Sequence, residues 1–178
     1  MSNIKYTCQV VQDTDPHPPE DDLVKITYAS RSRYMLGTQA VTQEQARALN
    51  ERSISEEIIA LPVWAYVHSG ATIRAATDNP FGCPWDSGRS GLAYMEKSAW
   101  LKEHGAKRLS PALKVKALDY IRAVVQTYDA YLTGDTWGYT IEDDDGNTVE
   151  SCWGFYGEQY AEEAAASALS AWNETATV

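Results

Sequence analysis

The last third of this chain contains no lysine and no arginine: every basic side chain lies at or before Arg122. The chain has 25 acidic and 15 basic residues, and its formal charge of −10 is therefore unevenly spread. Residues 1–122 carry 15 basic and 14 acidic groups, whereas residues 123–178 carry 11 acidic groups and nothing to neutralise them. A protein that reaches nucleic acid through its phosphates needs a basic footprint. Neither part supplies one, so direct DNA or RNA binding is not expected and basic surfaces are the natural partners.

Other absences narrow the class further. The three cysteines, Cys8, Cys83 and Cys152, are far apart and form no C-x-x-C pair, which argues against a disulfide framework and a structural zinc site. No apolar run approaches the roughly 18 residues of a membrane span, and Met1-Ser2-Asn3-Ile4-Lys5 lacks a signal-peptide core. These features predict an intracellular protein without a membrane segment. Hydrophobic residues at 44% and charged ones at 22% are ordinary for a globular fold, and one domain spanning residues 1–178 is expected.

What is present points to an α+β fold, a mostly antiparallel sheet with helices packed on one face. Lys5 to Val11 and Leu23 to Ala29 predict strands, joined by an extended, solvated tract from Asp13 to Asp22 that holds three prolines and five acids. Thr42 and Gln45 have capping-box spacing before a short helix reaching Arg52. Leu61 to Val67 is apolar on both faces, which predicts an inner strand. The clearest helix lies between a Ser110 cap and Gly134, with Leu113, Ala117, Ile121, Val124, Tyr128 and Leu132 on the stripe facing the sheet.

The acidic block, residues 135–174, predicts a hairpin followed by an alanine-rich helix. A three-residue loop, Asp144-Asp145-Gly146, pairs Ile141 with Val149, Tyr139 with Ser151 and Trp137 with Trp153. In that register Gly138, Thr140, Glu142, Glu150 and Cys152 share the wetter face. The helix, Glu158 to Trp172, is expected to turn Tyr160, Ala164, Ala168, Leu169 and Trp172 inward and Glu158, Glu162 and Glu163 outward.

Two segments could carry function. The first is Asn79 to Gly91 with His68-Ser69-Gly70: its glycines and prolines predict irregular structure, anchored by Phe81 and Trp85. Cys83 could act as a nucleophile with His68 as base and Asp86 orienting the imidazole, as in a thiol hydrolase or transferase. Simple packing of Cys83 and turn formation by Asp86 account for the same residues and are preferred. No cofactor and no metal is expected, since no fourth ligand accompanies these three and the acids Glu142 to Asp145 lack the alternating pattern of a calcium loop. The second segment is the acidic block itself, with Glu142, Asp143, Asp144, Asp145, Glu150, Glu158, Glu162 and Glu163 as candidate binding residues. Eleven acids without a local base sustain a negative field suited to a basic cleft.

The blocks Leu61 to Gly70, ending His-Ser-Gly, Cys83-Pro84-Trp85-Asp86-Ser87-Gly88, Tyr128 to Gly134 and Ser151-Cys152-Trp153-Gly154-Phe155-Tyr156-Gly157 resemble a family of small proteins encoded by bacteriophages and mobile elements. The resemblance covers residues 59–157. It implies a genetic context: a small acidic accessory protein acting in the host cytoplasm against a nucleic-acid-binding defence complex, such as a CRISPR effector, by occupying a site made for nucleic acid. The expected activity is non-enzymatic inhibition through a nucleic-acid-mimicking surface.

Overall fold

The computed structural model describes residues 5–175, so the stretch Met1 to Ile4 read for a signal sequence lies outside the described residues. The fold is α+β, with four helices and eight strands among the described residues, in two mostly antiparallel sheets. The chain forms two compact units: Met1–Pro18 with Gly134–Val178, and Pro19–Thr133. The acidic tract from Asp13 to Asp22, read as a connection between two strands, contains the boundary between the units.

The unit Pro19–Thr133 holds β2 (Lys25–Ala29), β3 (Gln39–Val41), α1 (Gln43–Ile54), β4 (Ile58–Val67), β5 (Ala71–Ala75), β6 (Ser87–Glu96), α2 (Lys97–Glu103) and α3 (Pro111–Thr133). Its sheet runs β3-β2-β6-β4-β5, with only β2 and β3 parallel. The inner position read for β4 is observed, since it pairs with both β5 and β6. Alternation then assigns the faces. Ile59, Leu61, Val63 and Met95 pack with Ala117, Ile121, Val125 and Tyr128 of α3, while Ile58 and Leu92 pack with Leu49 of α1 on the opposite face. The capping box is formed, Thr42 Oγ1 accepting from Gln45 N and Gln45 Oε1 from Thr42 N. Ser110 caps α3 through Leu113 N at 3.2 Å, and Gly134 follows with φ 75°.

One expectation in this unit is corrected. Ser87 to Gly91, read as irregular from its glycines, is the start of β6 and pairs with β4 across a bulge at Val63/Trp64. Available hydrogen-bonding partners override the weak strand propensity of Ser-Gly-Arg-Ser-Gly.

The other unit is a three-stranded antiparallel sheet, β1 (Thr7–Gln12), β7 (Thr136–Glu142) and β8 (Thr148–Tyr156), in the order β1-β7-β8, covered by α4 (Glu158–Thr175). Its core is Tyr139, Ile141 and Ala165, with Cys8, Val10, Val149, Phe155, Leu169 and Trp172 around them. The three-residue loop is present: Asp143 N donates to Asn147 O at 3.0 Å and Gly146 has φ 80°. The register beyond it is not the expected one. Glu142 pairs with Thr148, but Ile141 pairs with Glu150, Tyr139 with Cys152, Gly138 with Trp153 and Trp137 with Phe155. Val149 and Gly154 are the extra residues at two bulges, Gly154 at φ 86°. Each bulge moves the following side chain to the other face. Glu150 and Cys152 therefore lie on the α4 face, opposite Ile141 and Tyr139, where Glu150 is half-buried and Cys152 stays exposed. Tyr160 is also corrected: it is 61% exposed, and Ala161 and Ala165 occupy the buried stripe in its place.

Candidate functional site

The division into units sharpens the charge pattern. Met1–Pro18 and Gly134–Val178 together hold 12 acidic residues and one base, Lys5, for a net −11; Pro19–Thr133 holds 14 bases and 13 acids. Folding adds Asp13, Asp15 and Lys5 to the C-terminal acids and assigns Asp129 to the other unit. All four ion pairs among the described residues, Arg52–Glu57, Arg52–Glu96, Lys114–Glu56 and Arg122–Asp119, belong to Pro19–Thr133. The acidic unit's charge stays uncompensated.

The candidate acids fall into three groups. At the hairpin tip, Asp143 builds the loop: one carboxylate oxygen accepts from Asp145 N at 3.0 Å and Asn147 N at 2.8 Å, and the Asn147 amide joins them. These donors hold its carboxyl below the usual range, the Asn147 side chain first. Asp144 Oδ2 accepts from Lys5 N at 2.9 Å. Asp145 is exposed and Glu142 is half-buried at the end of β7.

The second group is Glu150 alone. Its carboxylate is turned under α4, one oxygen accepting from Tyr139 Oη at 2.7 Å and the other from Trp172 Nε1 at 2.8 Å. The Trp172 indole, then the Tyr139 hydroxyl, lower the Glu150 pKa, while the same carboxylate and burial push Tyr139 up to about 12. Burial, with the Glu150 charge behind it, raises the Cys8 thiol. Glu150 thus joins the sheet to α4, and both its oxygens are engaged within the unit.

The third group, Glu158, Glu162 and Glu163, is exposed on the first turns of α4, where the helix N-terminus favours negative charge. Gly157 N donates to Asp135 O at 2.8 Å, and Asp13 N to Thr136 O at 2.8 Å, so these acids begin at the end of the sheet remote from the tip. β8 spans that distance, roughly 26 Å at about 3.3 Å per residue. The acidic surface therefore has two poles, a tip pole at Glu142 to Asp145 and a base pole that gathers Asp13, Asp15, Asp135 and the α4 glutamates.

The second candidate segment lies in the other unit. Cys83 Sγ contacts Asp86 Oδ2 at 3.5 Å, Ser87 Oγ donates to the Cys83 carbonyl, and Asn79 Nδ2 donates to Ser87 Oγ at 2.9 Å. His68 is exposed and stacks on Tyr66 with ring centroids 6.4 Å apart; among the described residues its ring bonds to neither Cys83 nor Asp86. The thiol thus meets a carboxylate and not the imidazole that activates a thiol nucleophile. Phe81 anchors the loop on Tyr66 at 5.8 Å, but Trp85, read as a second anchor, is 92% exposed. The polar bonds around Ser87 order the turn and leave the indole in solvent. Among the described residues no three His, Cys, Asp or Glu side chains gather closely enough to hold a metal ion, and no helix is long and apolar enough to cross a membrane.

Sequence reasoning missed a groove of about 1150 Å³ between α1 and the strands β2 and β6, bordered by Arg31, Arg47 and Arg89. These arginines are dispersed along the sequence, and no local spacing signals their convergence. No protein family, curated protein or solved structure matches the chain.

Proposed function

We propose that this is a phage or mobile-element protein that inhibits a host nucleic-acid-binding defence complex, such as a CRISPR effector, in the host cytoplasm. It acts without catalysis, by placing an acidic, nucleic-acid-mimicking surface in a basic cleft. The observation that carries the reading is the confinement of a net charge of −11 to one compact unit that contains a single base. A channel lined for phosphates has Lys and Arg already arranged for spaced negative charge. Two acidic poles roughly 26 Å apart, about eight strand steps, are separated by more than a Debye length at physiological salt and can engage separate basic patches. Glu142, Asp144 and Asp145 are the tip contacts and Glu158, Glu162 and Glu163 the base contacts. Asp143 and Glu150 shape the unit that presents them.

The test is displacement of labelled target DNA from a purified, guide-loaded CRISPR effector, followed by fluorescence anisotropy at about 50 mM and about 500 mM salt. The expected result is release of DNA at low salt and much weaker release at high salt. DNA occupancy that stays constant at both salts while the protein is in excess rejects the reading for that effector class.

A further inference from the structure

The groove beside α1 arises from a fault in the sheet. β2 and β6 pair at Lys25/Tyr94 and Ile26/Ala93, and the ladder then stops. At the next position the Thr27 hydroxyl replaces backbone pairing, donating to Leu92 O and accepting from Leu92 N, both at 2.9 Å. Gly91 crosses directly against the Thr27 carbonyl, too closely for any Cβ. Beyond this contact the strands part, and α1 forms the wall above the gap.

The lining has an apolar floor that includes Val41, Leu49 and Leu92, and its charge is cationic. Arg47 and Asn50 share one face of α1, three residues apart, and Arg31 follows the end of β2. Arg89 on β6 reaches across, its Nη2 donating to Asn50 Oδ1 at 2.8 Å and its Nε to Gly91 O at 3.4 Å. None of these three arginines pairs with a carboxylate among the described residues. Glu44 is the one acid among the lining residues, against three exposed arginines. Arginine is suited to phosphate because its planar fork donates two parallel hydrogen bonds. Asn50 Nδ2 donates to Ala46 O at 2.9 Å and Ser90 Oγ to Val63 O at 3.2 Å, which leaves the second amide hydrogen of Asn50 and the acceptor pairs of the Ser90 hydroxyl to bond ligand hydroxyls; among the described residues no aromatic ring lines the groove to stack a base. The volume of about 1150 Å³ accommodates a ligand of nucleotide size.

We propose that this groove binds a phosphorylated, hydroxyl-bearing small molecule, of the class of a sugar phosphate or the ribose-phosphate part of a nucleotide. Arg31, Arg47 and Arg89 take the phosphate, and Asn50 and Ser90 take the hydroxyls. The site lies wholly within Pro19–Thr133 and does not depend on the acidic-surface reading.

Calorimetric titration of the intact protein with ribose 5-phosphate, AMP, inorganic phosphate, ribose and adenosine tests it. Ribose 5-phosphate and AMP are expected to bind, ribose and adenosine not. Arg47→Gln and Arg89→Gln should each weaken binding roughly tenfold, as loss of a charge-assisted hydrogen bond implies. Combining them with Arg31→Gln should abolish it, whereas Arg122→Gln, on α3, should leave it unchanged. A clear preference for AMP identifies a nucleotide; equal affinity identifies a sugar phosphate. Absence of heat with both phosphorylated probes, undiminished binding by a triple variant whose melting curve shows it folded, or equal binding of a glutamate-rich peptide would each overturn the proposal.

Discussion

The two units differ in whether their carboxylates also meet bases: all four ion pairs among the described residues lie in Pro19–Thr133. In Pro19–Thr133 acids are matched by bases and several act as structural parts: Arg52 joins Glu57 and Glu96, Asp21 accepts from Leu23 N, Val24 N and Tyr120 Oη, and Asp129 accepts from Thr72 Oγ1 and Ile73 N. In the acidic unit the carboxylates that have partners meet neutral donors, namely backbone amides, the Asn147 and Gln159 amides, two indoles, a phenol and the Ser170 hydroxyl. A neutral donor satisfies a carboxylate but leaves its charge in place. The first unit is held together by its acids; the second is held together while keeping the field of its acids available.

Rigid backbone contact distinguishes the units most strongly. Gly91→Ala would drive a methyl group into the Thr27 carbonyl, a backbone atom of β2, which β3 holds along its other edge. This should cost more than about 3 kcal/mol, at the upper end for overpacking, and be read as a large loss in chemical denaturation. Gly138→Ala in the acidic unit meets the ring of Trp153, which is 49% exposed and can swing outward, and its one backbone contact, the Cys152 carbonyl at 2.8 Å, is shallower than the approach of Gly91 to the Thr27 carbonyl. A cost of about 1–2 kcal/mol is expected there. Comparable losses from the two variants would remove this distinction.

Next comes Asp129→Ala. Its carboxylate joins α3 to β5 through Thr72 Oγ1 at 2.8 Å and Ile73 N at 2.7 Å, both part-buried. Truncation strands a strand amide, and about 2–3 kcal/mol should be lost in urea unfolding. Asp129→Asn, which retains one acceptor, should recover part of it.

Glu150→Gln should be less disruptive, and its signature is pH dependence. The folded pKa of Glu150 is lowered by Trp172 and Tyr139, so its contribution is present above the ordinary carboxylate range near 4.5 and fades as pH falls through the lowered value. The melting-temperature difference between wild type and variant should therefore be largest near neutrality and shrink in acid. Tyr139 has the opposite sign: a pKa raised from 10.0 to about 12 stabilises below pH 10 and is lost as pH climbs through about 12. A difference independent of acid pH would show that the carboxylate's charge does no structural work.

How much of this was legible in the sequence depended on how local the determining signal was. The α3 stripe, the Thr42–Gln45 box and the doubly apolar β4 are written within a few residues and are observed. The acidic bias was equally plain from counting. The hairpin faces were not, because the tip loop follows its glycine signal but bulges at Val149 and Gly154 each advance the strand by one residue. One residue is enough to carry Glu150 from the expected wet face to a place beneath Trp172. Pairing of β1 with β7 joins residues more than a hundred positions apart, and the arginine groove depends on strands parting at Thr27. Neither has a spacing rule. Trp85 misled for a different reason: a large apolar side chain argues for burial, yet the Cys83–Ser87 turn is ordered by polar bonds that need no anchor.

The smallest effect on stability should accompany the largest effect on association. Asp145, Glu162 and Glu163 are exposed, and none bonds to another secondary-structure element among the described residues; Glu163 meets only Gln159, one turn back on α4. Replacing them with Asn, Gln and Gln leaves the fold's bonds intact and relieves mutual repulsion, so unfolding free energy should stay within about 0.5 kcal/mol of wild type. Electrostatic steering depends on the field and not on those bonds. The triple variant should therefore displace DNA from a responsive effector more slowly than wild type, with a shallower salt dependence, while its dissociation rate changes little. If the variant instead melts much lower, these acids are structural like Asp129, and the contrast between the units disappears. If it melts normally and associates at the wild-type rate at low salt, the charge is present but unused, and the acidic unit is only a solvated one.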